Sequence, residues 1–288
     1  MDYITLDFVK ENMPRRPDDA HKGTMGTLLN ISGSYAMAGA CVLSSLAALR
    51  SGVGLLKVAL PKSIYPIVAS SCCEAVYLPL DESEEGTVSK DSLDVLLDAS
   101  KNANSVLLGC GLKLCDDTIK FVKEFVGKCE NKLLVDADGI NALARNIDIL
   151  SSTKAEVVLT PHVKEMSRLT GLSVQEIAQN REEVAMTFAK NFSCTVVLKG
   201  KDTVVTDGDR LLINPTGNSG MARGGSGDVL SGIIASFMAQ GVSSFESACM
   251  GVYIHGLSGD IAAARYSKTA MLPSDILTCL CDTFKTLE

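Results

Sequence analysis

Gly217-Asn218-Ser219-Gly220-Met221-Ala222-Arg223-Gly224-Gly225-Ser226-Gly227-Asp228-Val229-Leu230-Ser231-Gly232 divides the chain into two differently patterned parts. Five glycines fall within its first eleven residues, an aspartate follows at once, and an apolar helical run, Val229 to Ala239, continues from it. Glycine lets a main chain turn sharply and approach a ligand with no Cβ in the way. The backbone N–H groups of such a loop, with the helix start behind it, form a concave anion site. A carboxylate repels phosphate, so Asp228 in that site implies a task, such as taking a proton from a group being phosphorylated. The competing reading is that Asp228 only caps the helix.

Upstream of this stretch, short β-rich runs alternate with helical patterns. Strands are expected at Thr27–Ile31, Leu55–Leu60, Ala75–Leu80, Ser105–Leu108, Leu133–Val135, Val157–Leu159 and Thr195–Leu198. Helices are expected at Gly39–Arg50, Asp117–Val126 and Val174–Lys190. Such alternation implies βαβ units and a buried, mostly parallel sheet. Two further strands, Thr203–Thr206 and Arg210–Ile213, flank Asp207-Gly208-Asp209, a hairpin signal. Downstream the pattern is helical throughout: Val229–Ala239, Ser244–Ala264 and Pro273–Leu287. The expected fold is α/β, a mostly parallel central sheet flanked by helices with a helical C-terminal third. Residues 1–288 read as one domain, because the only polar hinge, Asp81 to Gly86, is of loop length and no repeat is visible.

In an open parallel sheet, ligands gather at the carboxyl ends of the strands. Ser32-Gly33-Ser34, Gly109-Cys110-Gly111, Asp136-Ala137-Asp138-Gly139, Thr160-Pro161-His162 and Lys199-Gly200-Lys201 all follow expected strands directly. Together these five loops make a site. The run Lys199-Gly200-Lys201-Asp202-Thr203 can wrap a nucleotide base and ribose or reach a phosphate; it can equally be a turn with solvated lysines. No Rossmann G-x-G-x-x-G and no Walker G-x-x-x-x-G-K-[ST] occurs. His162 reads either as a ligand contact or as a structural loop residue. The strand before Asp136 ends near Asp138-Gly139, so no shared carboxylate dyad is expected, and Asp138 is expected to cap a helix through Asn141 to Ala144. The small residues from Gly33 to Ala40 suit either a flat ligand or close helix–sheet packing.

Composition narrows the classes. The net charge is −7, there are six Tyr, eight Phe and no Trp, and no long basic run occurs, which argues against a nucleic-acid surface. The first residues carry an acid rather than a basic signal region, and no apolar run is long enough for a membrane span. Ten scattered cysteines, many in apolar runs, read as reduced thiols of a cytoplasmic protein. With three histidines and no ligand-like cysteine spacing, no protein-held metal centre is expected.

Taken in order, six motifs cease to look independent. They are Gly33-Ser34 leading to Ala38-Gly39-Ala40 and Ala47 to Gly54; Val135 to Leu143; Leu159-Thr160-Pro161-His162; Leu198 to Thr203; Asn218 to Ala222; and Gly227 to Gly232. Over nearly the whole chain, from about His21, the sequence resembles the ADP/ATP-dependent NAD(P)H-hydrate dehydratase family, which has the ribokinase-like fold. The resemblance implies repair of the S-epimer of NADH or NADPH hydrated on the nicotinamide ring. A nucleoside di- or triphosphate phosphorylates the ring hydroxyl, and phosphate then leaves. It also implies roles: Asp228 as the base and a contact to the hydrated dinucleotide; Ala40, Gly111 and His162 as further contacts to it; Lys199, Gly200, Lys201, Asp202, Thr203 and Gly227 as nucleotide contacts. Mg²⁺ with ADP or ATP, a homo-oligomer (a tetramer among the options) and a separate epimerase are implied likewise.

The chain departs from the family pattern in places. The family usually has Gly-Pro-Gly where Gly109-Cys110-Gly111 stands, and often Pro-His-Pro-Gly-Glu where Pro161-His162-Val163-Lys164-Glu165 stands. The usual proline near Gly220 is Ser219, and Arg223-Gly224 replaces small residues. Two other readings keep the glycine loop: a ribokinase-like kinase of a vitamin-precursor alcohol, and a nucleotide sensor without turnover. Asp228 argues against the sensor. The choice between ADP and ATP, and between the two hydrates, stays open.

Overall fold

The computed structural model describes residues 2–287. Seven strands run parallel: β1 (Thr27–Ile31), β2 (Leu55–Pro61), β3 (Val76–Leu80), β4 (Ser105–Leu108), β5 (Lys132–Val135), β6 (Glu156–Leu159) and β7 (Thr195–Leu198). Two short strands, β8 (Val204–Thr206) and β9 (Leu211–Ile213), complete the sheet antiparallel. The order is β3-β2-β1-β4-β5-β6-β7-β8-β9. Chain direction across the sheet reverses between β1 and β4, so a crevice opens outside their carboxyl ends.

Twelve helices surround the sheet among the described residues. They are α1 (Leu6–Asn12), α2 (Ala38–Arg50), α3 (Tyr65–Ser71), α4 (Leu93–Lys101), α5 (Asp116–Lys128), α6 (Ala137–Leu143), α7 (Val163–Thr170), α8 (Val174–Gln179), α9 (Arg181–Phe192), α10 (Ser226–Ala239), α11 (Ser244–Tyr266) and α12 (Pro273–Leu287). Strand residues alternate between two cores, as a period of two requires. Leu28, Leu107, Leu134, Val158 and Val197 join the side chains of α2, α10, α11 and α12 on one face. Leu29, Val106, Leu133, Val157 and Val196 join those of α4, α5, α7 and α9 on the other. With both faces covered, β4 and β7 are buried at every position, which is why they read as unbroken apolar runs.

The expected strands stand within a residue of the observed ones, and the helical C-terminal third is α10 to α12. Three expectations change. Val174–Lys190 is two helices, not one: Ser173 and Glu176 form a capping box on α8, and Asn180, at φ −131°, ends it before α9 begins. The helix after the glycine loop starts at Ser226, so Gly227 and Asp228 lie inside its first turn. Asp138 does not cap α6. That helix starts at Ala137, and the Asp138 carboxylate accepts the N–H of Lys113 at 2.9 Å. α1, α3, α4 and α7 carried too little periodicity over seven to nine residues to be read beforehand.

Candidate active site

The end of β5 delivers Asp136 into the crevice, and this carboxylate organises the site. It is 1% exposed. Its Oδ1 accepts from Lys199 Nζ at 2.7 Å and from Thr160 Oγ1 at 2.7 Å. Its Oδ2 accepts from Ser231 Oγ at 2.8 Å. The donors come from the loops after β7 and β6 and from the second turn of α10, so one side chain ties three elements together. Burial works to raise the Asp136 pKa, but the Lys199 charge and these hydrogen bonds outweigh it and hold the carboxyl below its usual range. For Lys199, burial opposes the charge, and Asp136 and Glu165 outweigh burial, holding the ammonium above its usual range.

Asp228 faces this pair from the first turn of α10. Its carboxylate, that of Asp136 and the Cys110 thiol lie within 4.8 Å of one another. Burial first, and the Asp136 charge second, push the Asp228 pKa up to about 7. A carboxylate so placed can take a proton near neutral pH and give it up again. The helix start is open in front of it. Gly225 stands at the N-cap with φ 101°, a conformation that favours glycine, and caps α10 with no side-chain bond. The first N–H groups of a helix lack internal partners, so Gly227 and Asp228 present theirs to the crevice. Gly227 also keeps the crevice clear: a Cβ there would stand 3.4 Å from Lys199 Nζ and 3.8 Å from Asp136 Oδ2. The rest of the loop is committed elsewhere. Gly217 N donates to Asp260 Oδ2, Asn218 Nδ2 to Asp260 Oδ1, and Gly220 N to Asn218 Oδ1. The anion cradle is therefore the end of the loop, not the whole of it.

His162 lies on the other side of Lys199, joined to it by a parallel bridge. It is the N-cap of α7. Its Nδ1 accepts the Glu165 N–H at 3.1 Å, and Glu165 Oε2 accepts the His162 N–H at 2.8 Å. Burial, then the Lys199 charge, hold the His162 pKa below its usual value. Glu165, 4.0 Å from Lys199, is pushed up to about 7 by burial, against the pull of Lys199. Ala40 and Gly111 meet at the start of α2: a Cβ on Gly111, at φ +66°, would come within 2.7 Å of the Ala40 Cβ. Gly200 and Thr203 close a turn, with Thr203 Oγ1 donating to Gly200 O at 2.9 Å. Lys201 and Asp202 are exposed on its outside.

Of the residues expected to act, Lys199, Gly227, Asp228 and His162 are brought together, and Ala40 and Gly111 form a second patch beside Cys110. Asp136, Thr160, Glu165 and Ser231 were not assigned roles beforehand. Asp136 carried the one available signal, an acid directly after a buried strand. Ser231 carried none, since serine in an apolar helix reads as packing.

The mostly parallel sheet that carries this site at its carboxyl edge, flanked by helices, is a fold of the ribokinase-like class of α/β proteins. The family model described as NAD(P)H-hydrate dehydratase matches residues 28–281, and the chain belongs to that family. It is 38% identical over 286 residues to the bifunctional NAD(P)H-hydrate repair enzyme of Moorella thermoacetica, covering 99% of this chain and 54% of that protein. It is 33% identical over 250 residues to the ADP-dependent (S)-NAD(P)H-hydrate dehydratase of Neisseria meningitidis, covering 85% of this chain and 80% of that one. The crystal structure of ADP/ATP-dependent NAD(P)H-hydrate dehydratase from Bacillus subtilis, co-crystallized with ATP/Mg²⁺, superimposes with a TM-score of 0.84 at 27% identity, covering 100% of this chain and 99% of that one. The chain spans about half the length of the bifunctional relatives it matches.

Proposed function

We propose that this chain dehydrates the S-epimer of NAD(P)H-hydrate at the expense of ADP or ATP, restoring NAD(P)H. The observation that carries the reading is Asp228: a carboxylate raised to about 7, set among open backbone N–H groups at the start of α10. Binding an anion alone has no use for it. Hydroxide is a poor leaving group and phosphate a good one. Asp228 takes the proton of the ring hydroxyl as that oxygen attacks the terminal phosphorus. The N–H groups of Gly227 and Asp228 receive the charge on the transferring phosphoryl oxygens, which is the main form of catalysis open to such a transfer. The ring nitrogen lone pair then expels orthophosphate, and the neighbouring ring carbon gives up a proton to complete the double bond. His162, half-exposed beside Lys199, and the closely packed Ala40–Gly111 patch are the hydrated-dinucleotide side of this reading. Lys199, Gly200, Lys201, Asp202 and Thr203 are the nucleotide side of the same reading.

The carboxylates of the crevice do not fit a protein-held Mg²⁺: Asp136 and Glu165 already surround the Lys199 ammonium, at 2.7 Å and 4.0 Å, which fills the place between them. Mg²⁺ would enter on the nucleotide, whose phosphate oxygens are the hard ligands it prefers, and would screen their charge.

The test is to mix the protein with hydrated NADH, Mg²⁺ and either ADP or ATP, and to follow absorbance of the reduced nicotinamide. A rise that needs nucleotide and stops in excess chelator is the expected result, and it identifies the donor. A flat trace with nucleotide consumed on an alcohol would replace the reading with a ribokinase-like kinase. In the same assay Asp228→Asn should lose turnover while still binding nucleotide by calorimetry; near-normal turnover would sink the role given to Asp228.

A further inference from the structure

We propose that Cys110, Asp136 and Asp228 form a site for one thiophilic divalent cation of the zinc class, which occupies the crevice in place of substrate. Cys110 is fully buried, and its Sγ is 4.0 Å from Asp136 Oδ2. One ligand atom from each of the three residues lies within 4.8 Å of the other two. Ligands of a tetrahedral zinc ion stand roughly 3.5 Å apart, given its bond lengths, so small side-chain rotations close the set. Asp136 is already oriented by Thr160 and Ser231, the kind of outer support that metal-bound carboxylates use. The Asp228 carboxylate takes its hydrogen bond from the Cys110 thiol, and that bond is given up when the thiol loses its proton, which frees both groups to coordinate. The partial exposure of Asp228 leaves a fourth position for water.

The ligand set separates this ion from Mg²⁺. A thiolate beside carboxylates selects zinc, cobalt or ferrous ions over magnesium, which prefers oxygen alone. The three ligands come from the loops after β4 and β5 and from α10, far apart in sequence, which is why no cysteine or histidine spacing announced them. On binding, the Cys110 thiol gives its proton to solvent and the sulfur takes the ion; no electron changes hands. The bound ion covers the Asp228 carboxylate, so turnover should stop. That inhibition rests on the role proposed for Asp228; the binding does not.

Binding is read without turnover. Co²⁺ is titrated into the full chain, freed of metal and with its thiols reduced, and the near-ultraviolet thiolate-to-cobalt absorption is followed. The expected result is a band saturating at one ion per chain, bleached by Zn²⁺ and unaffected by millimolar Mg²⁺. Cys110→Ser should abolish the band, and Asp228→Asn, a partly exposed position that threatens folding less, should weaken Co²⁺ binding at least tenfold. No band, a band that survives in Cys110→Ser, or one displaced by Mg²⁺ would overturn the proposal; survival in Cys110→Ser would place the ion on other cysteines. Zn²⁺ should then inhibit the wild type at concentrations at least tenfold below those needed for Cys110→Ser, each measured against its own uninhibited rate. A chain without dehydratase turnover would remove this last comparison and leave the absorption result standing.

Discussion

Asp228 trades stability for chemistry. Its folded-state pKa of about 7 lies above the ordinary carboxylate value of 3.8, so the native chain holds that proton more tightly than the unfolded chain does. Stability is therefore lost as pH rises from about 4 through about 7, by at most about 4 kcal/mol for this group. Catalysis needs the ionised form, so turnover should rise across the upper part of the same window. Asp228→Asn removes the titration. Its melting temperature should exceed that of the wild type at pH 8, and the gap should shrink towards pH 4. A gap that does not vary with pH would mean that burial does not set this pKa. Asp136 presents the opposite case. Lys199→Met would leave a 1%-exposed carboxylate without its cation. Losing one partner of a buried pair costs about 3–5 kcal/mol, and the 19% exposure of the Lys199 side chain places this loss near the lower end. Urea unfolding at pH 8 measures it; a loss below about 1 kcal/mol would show that solvent already screens the pair.

The site exists because α2 and α10 touch. Gly232 in α10 makes that contact: a Cβ there would stand 2.2 Å from Ser44 O and 2.8 Å from the Ala47 Cβ. The first clash is with backbone, so it cannot be relieved by a rotamer change. Gly232→Ala should cost about 3 kcal/mol, at the upper end for overpacking, and should lower turnover as well. α2 carries Ala40, α10 carries Asp228, and the two would be pushed apart. A variant that keeps both stability and turnover would show that the helices have slack. The alanines of α2 were legible as small residues, but not their use: Ala47 and Ala48 are fully buried in the core, and Ala47 packs against Gly232 of α10. Strands were legible for a simpler reason. The central strands are covered on both faces, so β1, β4 and β5 are short, mostly apolar runs with a serine, a glycine and an acid directly after them. Leu133 to Val135 followed by Asp136 shows where that reading stopped. Position after a strand marked Asp136 for the crevice, but its partners, Lys199, Thr160 and Ser231, come from other elements, and no local pattern names them. The break at Asn180 escaped for the converse reason, since the apolar spacing continues across it while the capping box of α8 sets a new helix.

At the scale of the whole molecule, the last strand needs cover. β9 forms one margin of the sheet, with unpaired backbone groups that could template another chain. The N-terminal segment meets part of that need. Ile4 N donates to Ile213 O at 2.9 Å, and Ile213 N donates to Asp2 O at 3.0 Å. The contact is held by burial, since Ile4 is 1% exposed and Val9 of α1 is wholly buried in the core on the α10–α12 face. Burying two such side chains contributes about 3–6 kcal/mol, a large share of the 5–15 kcal/mol that typically separates folded from unfolded domains. Deleting residues 1–12 should therefore lower the melting temperature by several degrees and expose β9 together with an apolar groove along α11. Static light scattering on warming should show aggregation at a lower temperature than for the full chain. The crevice lies at the carboxyl ends of the strands and takes no residue from this segment, so nucleotide binding at 10 °C should survive the deletion. A shortened chain that melts and scatters like the full one would mean that the α10–α12 core and the sheet margin stand without their N-terminal cover.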